Sequence, residues 1–419
     1  MKVKTKFFLL HLLFLTTAFS GWSALVLPTV FHYPYPLSSS PGNGVSKYNI
    51  TQSVTYQVEI NFTLTHNSGS GDYYFKFARL NDRMPNSTLT QYTPPYQDSK
   101  LLFNNITGYS PTKIIMGHRD QFNNTYDSFN ASLGINDKVS LSQKYIVKLN
   151  EIRFQNIEDT DIGLYDMSDE IFDLYSNNSE NYYERDDLSL INKSNDIVEP
   201  SDNIVEKAEK IYDWVTNNLI YNGDLPAQEK GALWAYNNSE GDCSEYSSLM
   251  ITLLRIQNIP ARKVTGFLIS NNPATRPKPN NTWNFHVSDT ESDFLGHAWI
   301  EYYVPNIGWI AADPTWGTAN YFNRIDFLRF NVNVGANFFI PPNGNSSEFL
   351  NPLFSFHPSN SFDFDYNIMI IVLESNLAPL ESFPIVFFVF IGIGVAAVVI
   401  TLILIFKRSG KKGIEYYEY

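Results

Sequence analysis

The chain has one cysteine among its 419 residues, Cys243, so it can form no disulfide bond within itself. A single cysteine also rules out a cysteine-rich zinc site, and no two of the seven histidines have the spacing of a zinc-binding pair. We therefore expect no metal ion or other cofactor. What remains is one unpaired thiol, a group that can act as a nucleophile.

Charged residues are also scarce, at 17% of the chain against a usual ~25%. Acidic residues outnumber basic ones by 43 to 30, for a net charge of −13. A nucleic-acid partner would require a basic patch, so this balance argues against one. No internal repeat is present either, which argues against a solenoid.

Three short motifs hold the residues of a cysteine-centred active site. The stretch "GDCSEYSSLM" holds Cys243, "GHAWIEYYVP" holds His297 and "GWIAADPTWG" holds Asp313. A nucleophilic thiol needs a base to take its proton, and that base needs a carboxylate to fix its tautomer and orientation. The three residues therefore predict a Cys–His–Asp triad.

The first motif predicts a helix that begins at the cysteine and ends before Pro260. Its apolar residues recur at helical spacing: Tyr246, Leu249, Met250, Leu253 and Leu254. A helix N-terminus favours a thiolate, and a protonated histidine beside it lowers the thiol pKa further below its ordinary ~8.5. We expect Cys243 to be reactive near neutral pH.

The other two motifs predict a β-hairpin. "HAWIEYYV" alternates so that His297 and Trp299 share one face of a strand, and the turn "PNIG" leads into a second strand over residues 309–312. Asp313 follows this strand, and Pro314 prevents regular pairing beyond it. Such a hairpin can bring Asp313 alongside His297.

Other interpretations of these residues remain open. A lone cysteine can be a small buried apolar residue, and Asp313 can be a turn residue before proline. His286 is the alternative base. A second donor to the oxyanion has four candidates, Trp214, Tyr221, Gln228 and Trp234, of which Trp214 lies on an apolar helical face.

The motifs together resemble the transglutaminase-like superfamily over roughly residues 195–330. The resemblance rests on the Gly-Asp-Cys lead-in, the Ile-Pro-Ala-Arg turn, and the His-Ala-Trp and Asp-Pro-Thr triplets, in that order. It implies a papain-like core with Cys243 as nucleophile, His297 as general base and acid, and Asp313 as the residue that orients His297. Transglutaminases, proteases, peptide N-glycanases and inactive members all share this machinery. The resemblance indicates no calcium site.

The two ends of the chain predict a membrane protein. Residues 1–24 have three lysines before an apolar run and small residues, as in a signal peptide cleaved after Ser20 or Ala24, or retained as a signal anchor. Residues 383–406 carry no charge and are followed by "KRSGKK", which predicts one transmembrane helix with a cytosolic tail at 407–419. The region between these ends should face outside the cytoplasm, at the cell membrane.

Eleven Asn-x-Ser/Thr sequons lie between the two apolar segments, where glycosylation machinery would meet them. They are Asn49, Asn61, Asn86, Asn105, Asn123, Asn130, Asn177, Asn192, Asn237, Asn280 and Asn345. Their number and position predict an extracellular glycoprotein.

The expected fold class is α+β, with a transglutaminase-like core preceded by a β-rich, sandwich-type domain. Alternating residues predict a hairpin of strands 54–65 and 73–80 within a β-rich domain at 45–165. An acidic connector at 166–202 precedes the catalytic domain at 203–330, whose first helix is capped by Ser201 or Asp202. An aromatic, Asn-rich segment and tether, with one last strand, occupies 331–382.

The predicted function is that of a membrane-anchored cysteine enzyme acting on amide bonds of a protein or peptide substrate through an acyl-enzyme. Water as acceptor would make it a peptidase or amidase, and a lysine amine would make it a cross-linking transglutaminase; the excess of water outside the cell favours hydrolysis. The alternative is an inactive cell-surface binding or scaffolding module. The oligomeric state stays open.

Overall fold

The computed structural model describes residues 47–80, 93–108, 111–120, 122–176, 182–226, 229–335, 354–357 and 361–378. By its internal contacts the chain divides into Met1–Ser39 and Ser40–Tyr419, and every described residue belongs to the second unit. The predicted signal peptide, transmembrane span and cytosolic tail lie outside the described residues. Among the residues that are described, no helix has the length and apolar character needed to cross a bilayer.

Sixteen strands and five α-helices are present in the described ranges. The strands are β1 (Tyr48–His66), β2 (Gly71–Ala78), β3 (Gln97–Gly108), β4 (Thr112–Arg119), β5 (Thr125–Leu133), β6 (Lys138–Phe154), β7 (Ile220–Tyr221), β8 (Glu240–Gly241), β9 (Ala261–Leu268), β10 (Thr282–Ser288), β11 (Gly296–Val304), β12 (Gly308–Ala312), β13 (Arg324–Ile325), β14 (Arg329–Val334), β15 (Phe354–His357) and β16 (Phe362–Asn376). The helices are α1 (Glu170–Tyr175), α2 (Leu188–Ile197), α3 (Ile204–Asn218), α4 (Ala232–Asn238) and α5 (Cys243–Ile256).

These strands form four sheets. The first has the order β10-β16-β1-β6-β13, with β3 also paired to β6. The second has the order β15-β2-β5-β4, and the third β12-β11-β9-β14. The fourth consists of β7 and β8 alone, which pair in parallel.

The long strands of the first sheet have one buried face, which packs against both the second and the third sheet. Alternate residues of β1 from Val54 to Leu64 point inward, as their sequence pattern predicts. Toward one end of these strands Phe62 packs on Phe77 of the second sheet, with ring centroids 4.9 Å apart. Toward the other end Tyr56 packs on Phe330 of the third sheet at 5.1 Å and donates its hydroxyl to Phe327 O at 2.8 Å. The β-rich region and the α+β region therefore share one core.

Helices α2 to α5 cover the opposite face of the third sheet. Helix α5 is the central one, with Leu249, Met250, Leu253 and Leu254 fully buried against β9 and β11. Burial of this apolar stripe holds the start of α5, and so Cys243, against the third sheet.

Three local expectations need correction. Strands β1 and β2 do not pair as a hairpin, because β1 pairs with β6 and β16 whereas β2 pairs with β5 and β15. The first helix of the predicted catalytic domain is capped by Asn203, in a capping box with Glu206, and not by Ser201 or Asp202. The predicted connector at 166–202 contains α1 and α2, since Asp169 and Asp187 act as N-caps.

Strands from distant parts of the chain complete the first sheet. Strand β10 comes from the segment between β9 and β11, and β13 from the segment between β12 and β14. Strand β16, which lies in the predicted tether segment, pairs with β1 along most of its length. The predicted domain boundaries remain predictions, but strands from both sides of the predicted connector share one sheet.

Candidate active site

The hairpin of β11 and β12 places His297 and Asp313 on one face of the third sheet. Ile300 pairs with Ala312, so the register continued by one position puts Asp313 opposite Trp299 and two residues along from His297. His297 Nε2 lies 2.7 Å from Asp313 Oδ2, and both side chains are buried. The structure thus brings together two of the three predicted site residues in a direct hydrogen bond.

Arg329 is a second partner of the same carboxylate oxygen. Its Nε and Nη2 donate to Asp313 Oδ2 at 3.0 and 2.9 Å, and its Nη1 donates to Asp326 Oδ1 at 2.7 Å. The other oxygen, Asp313 Oδ1, accepts from the main-chain N–H of Thr315 at 3.1 Å. Burial raises the pKa of Asp313, but the charges of His297 and Arg329 outweigh burial and hold it below its ordinary value. The carboxylate therefore stays ionised although it is fully buried.

Two aromatic rings enclose the Arg329 guanidinium. Trp316 lies 4.4 Å and Tyr321 4.2 Å from it, measured to the ring centroids. The hydroxyl of Tyr321 donates to Asp326, which ties the second carboxylate to the same cluster. Trp316 also packs beside His297, with ring centroids 6.4 Å apart. Arg329 was not among the residues predicted for the site. A buried carboxylate needs a cation, but the sequence alone does not show which arginine supplies it.

Cys243 is the first residue of α5, as predicted, and is half-buried. Asp242 is the N-cap, and a capping box with Glu245 satisfies the main-chain N–H groups of Asp242, Ser244 and Glu245. The main-chain N–H of Ala298, the residue that follows His297 in β11, acts to lower the pKa of the Cys243 thiol and so lies close to it. The start of α5 therefore lies against the strand that carries His297.

The thiol pKa differs from the sequence expectation. Burial and the charge of Asp242 raise the pKa of Cys243 above its ordinary value, while the Ala298 N–H and the charge of Lys263 act against this rise. The helix N-terminus was expected to lower the thiol pKa. The loss of solvent around the sulfur raises it, and this is the larger effect. Burial therefore favours the thiol form of Cys243.

A buried lysine lies beneath the first turn of α5. Lys263 Nζ donates to Ser248 Oγ at 2.8 Å and to the main-chain oxygen of Ser244 at 3.3 Å, and it forms an ion pair with Glu229. Burial lowers the pKa of Lys263, but the charge of Glu229 outweighs burial and raises it. Lys263 is therefore a fixed positive charge next to the residue that follows the thiol.

We expect replacement of Lys263 by methionine to slow alkylation of Cys243 by iodoacetamide. Loss of a charge interaction worth about 1 kcal/mol lowers the thiolate fraction, and hence the rate at pH 8, by roughly 3- to 10-fold. The alkylation rate is measured from pH 6 to 10. The control is Lys230→Met, which removes an exposed lysine. An equal effect of both substitutions would contradict the role of Lys263; an unfolded variant would instead react faster.

The alternative residues named from the sequence lie in different places. His286 is on β10 in the first sheet, where its Nε2 lies 3.5 Å from Asp365 Oδ1. Trp214 packs beside Tyr236, with ring centroids 6.1 Å apart, and Trp234 lies near Lys230. Gln228 is outside the described residues.

Tyr221 is the one oxyanion candidate that the structure puts beside the cysteine. Burial and the charges of Cys243 and Asp242 raise its pKa to about 12. Tyr221 pairs with Gly241, two residues before Cys243, and the charge of Cys243 acts on its phenol, so Tyr221 lies near the thiol. Within the described ranges, no group of three or more His, Cys, Asp or Glu side chains is arranged to hold a metal ion.

Comparison with known proteins identifies the family of one part of the chain. Residues 191–314 match the family model of the Transglutaminase-like superfamily. This region is a transglutaminase-like domain. The match covers α2 to β12 and the site residues Cys243 and His297, and it ends one residue after Asp313.

Two relatives are similar to parts of this chain. YebA, an uncharacterized protein of Bacillus subtilis, is 26% identical over 130 residues, which are 30% of this chain and 17% of that protein. A protein-glutamine gamma-glutamyltransferase of Pseudomonas aeruginosa is 35% identical over 85 residues, which are 20% of this chain and 11% of that protein. The chain thus matches less than a fifth of the length of either relative.

A solved structure shares the fold over most of the chain. A proposed cysteine protease from Cytophaga hutchinsonii aligns with a TM-score of 0.50 and 16% identity, over 80% of this chain and 96% of that one. The predicted resemblance to the transglutaminase-like superfamily is confirmed for residues 191–314, and the fold class is confirmed in its transglutaminase-like core and β-rich N-terminal region. The predicted transmembrane helix lies outside the described residues.

Proposed function

We propose that this chain is a membrane-anchored, extracytoplasmic cysteine enzyme that acts on amide bonds of proteins or peptides. Cys243 is the nucleophile, His297 the general base and acid, and Asp313 the residue that orients His297. The observation that carries the proposal is the 2.7 Å contact of His297 Nε2 with Asp313 Oδ2. His297 lies on β11, and the N–H of the next residue, Ala298, acts to lower the thiol pKa.

The hydrogen bond to Asp313 assigns a role to each nitrogen of His297. A carboxylate only accepts hydrogen bonds, so Nε2 carries a proton and Nδ1 is the nitrogen that can take the thiol proton. Because burial favours the thiol form, this transfer accompanies attack in the proposed mechanism. The sulfur then forms a bond to the amide carbon, the C–N bond breaks, and His297 gives the proton to the leaving amine. Water or a second amine then releases the acyl group from Cys243.

The oxyanion of this reaction would meet two donors. The capping box occupies the N–H groups on either side of Cys243, whereas the N–H of Cys243 itself donates to no atom of the described residues. A helix N-terminus offers such a donor together with a partial positive charge. The Tyr221 hydroxyl, with a pKa raised to about 12, is protonated at neutral pH and supplies the second donor.

The proposed location rests on the ends of the chain and on its sequons. The apolar residues 383–406 precede a basic cluster, which supports a single span with a cytosolic tail. Exposed sequons support a glycosylated surface on the other side of the membrane. They include Asn49, Asn61, Asn105, Asn192, Asn237 and Asn280.

Hydrolysis is the favoured outcome, because water outside the cell is in large excess over any amine. Transamidation is the second candidate, since one relative is a protein-glutamine gamma-glutamyltransferase. Both outcomes use the same acyl-enzyme and differ only in the acceptor.

The test is to incubate the purified full chain with β-casein and a biotin-tagged primary amine, and to analyse the products by mass spectrometry. New peptide termini would identify a protease, and tagged glutamines would identify a transglutaminase. Cys243→Ala and His297→Gln should form no product, whereas His286→Gln, which changes a histidine of the first sheet, should match the wild type. Equal product from wild type and Cys243→Ala would refute the proposal and leave an inactive binding module.

A further inference from the structure

Among the described residues, the two-residue strand β7 has one edge that pairs with no other strand. Its other edge pairs with β8: Ile220 N donates to Ser239 O, and Asn222 N donates to Gly241 O, each at 2.9 Å. Main-chain groups of successive residues in a strand point to opposite sides, so the N–H and C=O of Tyr221 point away from β8. In the described part of the chain the Tyr221 N–H donates to no other main-chain group.

The side chains of β7 are exposed to a degree that is unusual for apolar residues beside an active site. Ile220 is 72% and Tyr221 56% exposed. An uncovered strand edge is a ready template for another chain, and proteins normally shorten or cover such edges. Here β7, with two exposed side chains, pairs with the strand that leads into Cys243.

The register fixes where a chain on this edge would lie. Tyr221 pairs with Gly241, and Gly241 leads through Asp242 into Cys243. A strand added to β7 would run about 4.8 Å from it, on the side opposite β8. The Tyr221 side chain lies near the thiol, because the charge of Cys243 acts on its phenol.

We propose that the β7 edge binds the substrate as an extended polypeptide, which adds to β7 as a strand. This inference rests on the proposed function and adds the substrate class: an unfolded segment, flexible terminus or loop. The peptide donates one N–H to the C=O of Tyr221 and accepts from the Tyr221 N–H, while an apolar side chain of the peptide packs on Ile220. Strand addition of this kind takes its affinity from the main chain and its selectivity from side-chain contacts.

A second copy of this chain is a less suitable occupant. Only the N–H and C=O of Tyr221 face this edge, and two main-chain hydrogen bonds are too few for a stable dimer. They are suited to a substrate whose product must dissociate. A substrate must come close to Cys243, and β7 pairs with β8, the strand that leads into that residue.

The test measures binding without catalysis. Fluorescein-labelled ten-residue peptides that tile β-casein are titrated against the full-length Cys243→Ala variant, with fluorescence anisotropy as the readout. The tightest binder is then methylated at one main-chain nitrogen at a time. We expect one methylation to weaken binding by roughly 10-fold, the effect of a lost and blocked main-chain hydrogen bond, and methylation of the two adjacent amides to have little effect.

A pair of protein variants gives the complementary test. Ile220→Asp, combined with Cys243→Ala, should weaken binding of the same peptide at least 10-fold. Leu164→Asp, which changes a side chain that is 96% exposed in another part of the chain, should leave binding unchanged. Ile220 is itself largely exposed, so its substitution should not prevent folding, and the methylation series does not depend on it.

The outcomes separate this inference from the proposed function. Failure of every peptide to bind, a uniform response to methylation, or equal effects of the two aspartate substitutions would overturn strand addition at β7. Position-specific binding without any product from the wild type would support the β7 site and refute the catalytic proposal.

Discussion

Replacement of Asp313 by alanine is expected to lower kcat by roughly 10⁴-fold, the effect of removing the carboxylate from other nucleophile–histidine–aspartate triads. Without Asp313 nothing selects the His297 tautomer that has its proton on Nε2, so Nδ1 is no longer reliably available to the thiol. The buried Arg329 also loses one of its two carboxylate partners.

Asparagine at the same position should cost much less, about 10- to 100-fold. His297 and Arg329 both donate to Oδ2, so an asparagine that places its oxygen there keeps both hydrogen bonds and the same tautomer. The NH2 group of this asparagine then replaces Oδ1, the atom that accepts from the Thr315 N–H in the wild type. Two donors face each other there, and about one hydrogen bond is lost. Steady-state kinetics with the substrate found for the wild type measure both variants. Equal losses in the alanine and asparagine variants would contradict this account of the carboxylate.

Arg329→Met is expected to lower the free energy of unfolding by about 3–5 kcal/mol, because it leaves two carboxylates in the interior without their shared cation. Arg329, Asp313 and Asp326 are all buried, so water cannot replace the lost hydrogen bonds. Urea denaturation at pH 7 measures the change.

Arg324→Met is the matched control. Arg324 lies only five residues away and packs on the same ring of Tyr321, at 4.9 Å, but it is partly exposed and its partner Glu151 also pairs with Arg153. Its substitution should change the unfolding free energy by no more than ~1 kcal/mol. A similar decrease in the free energy of unfolding in both variants would show that the buried Asp313–Arg329–Asp326 cluster stabilises the fold no more than the partly exposed ion pair of Arg324.

The same cluster predicts how wild-type stability responds to acid. An unfolded aspartate has a pKa of about 3.9. The pKa of Asp313 in the folded state is lower, so the folded state binds a proton at this carboxylate less tightly. The contribution of Asp313 to stability is complete above that range and is lost as the pH falls through the lowered folded pKa. In Arg329→Met the cation no longer opposes burial, so this acid-dependent loss should begin at a higher pH.

Features that depend on neighbouring residues in the chain were predictable. The helix that begins at Cys243, the strands on either side of the turn after Val304 and the position of Asp313 behind Ala312 all follow from local periodicity and turn residues. Because both partners lie on one hairpin, the sequence also predicted that His297 and Asp313 would meet.

Sequence periodicity shows that a strand has a buried face but not which strand pairs with it. The turn between β1 and β2 therefore predicted a hairpin, whereas in the structure that turn leads from one sheet to another. The acidic residues of 166–202 likewise resembled a linker by composition, whereas two of them cap helices.

The chain's own sequence determined the secondary structure around the site, the three residues proposed for catalysis and the family to which residues 191–314 belong. Only the tertiary structure decided that Arg329 neutralises Asp313, that burial raises the thiol pKa, that Lys263 lies beneath α5 and that β7 keeps an open edge. The physical reason is that charge pairing and desolvation depend on distances between residues far apart in the chain, and periodicity contains no information about those distances.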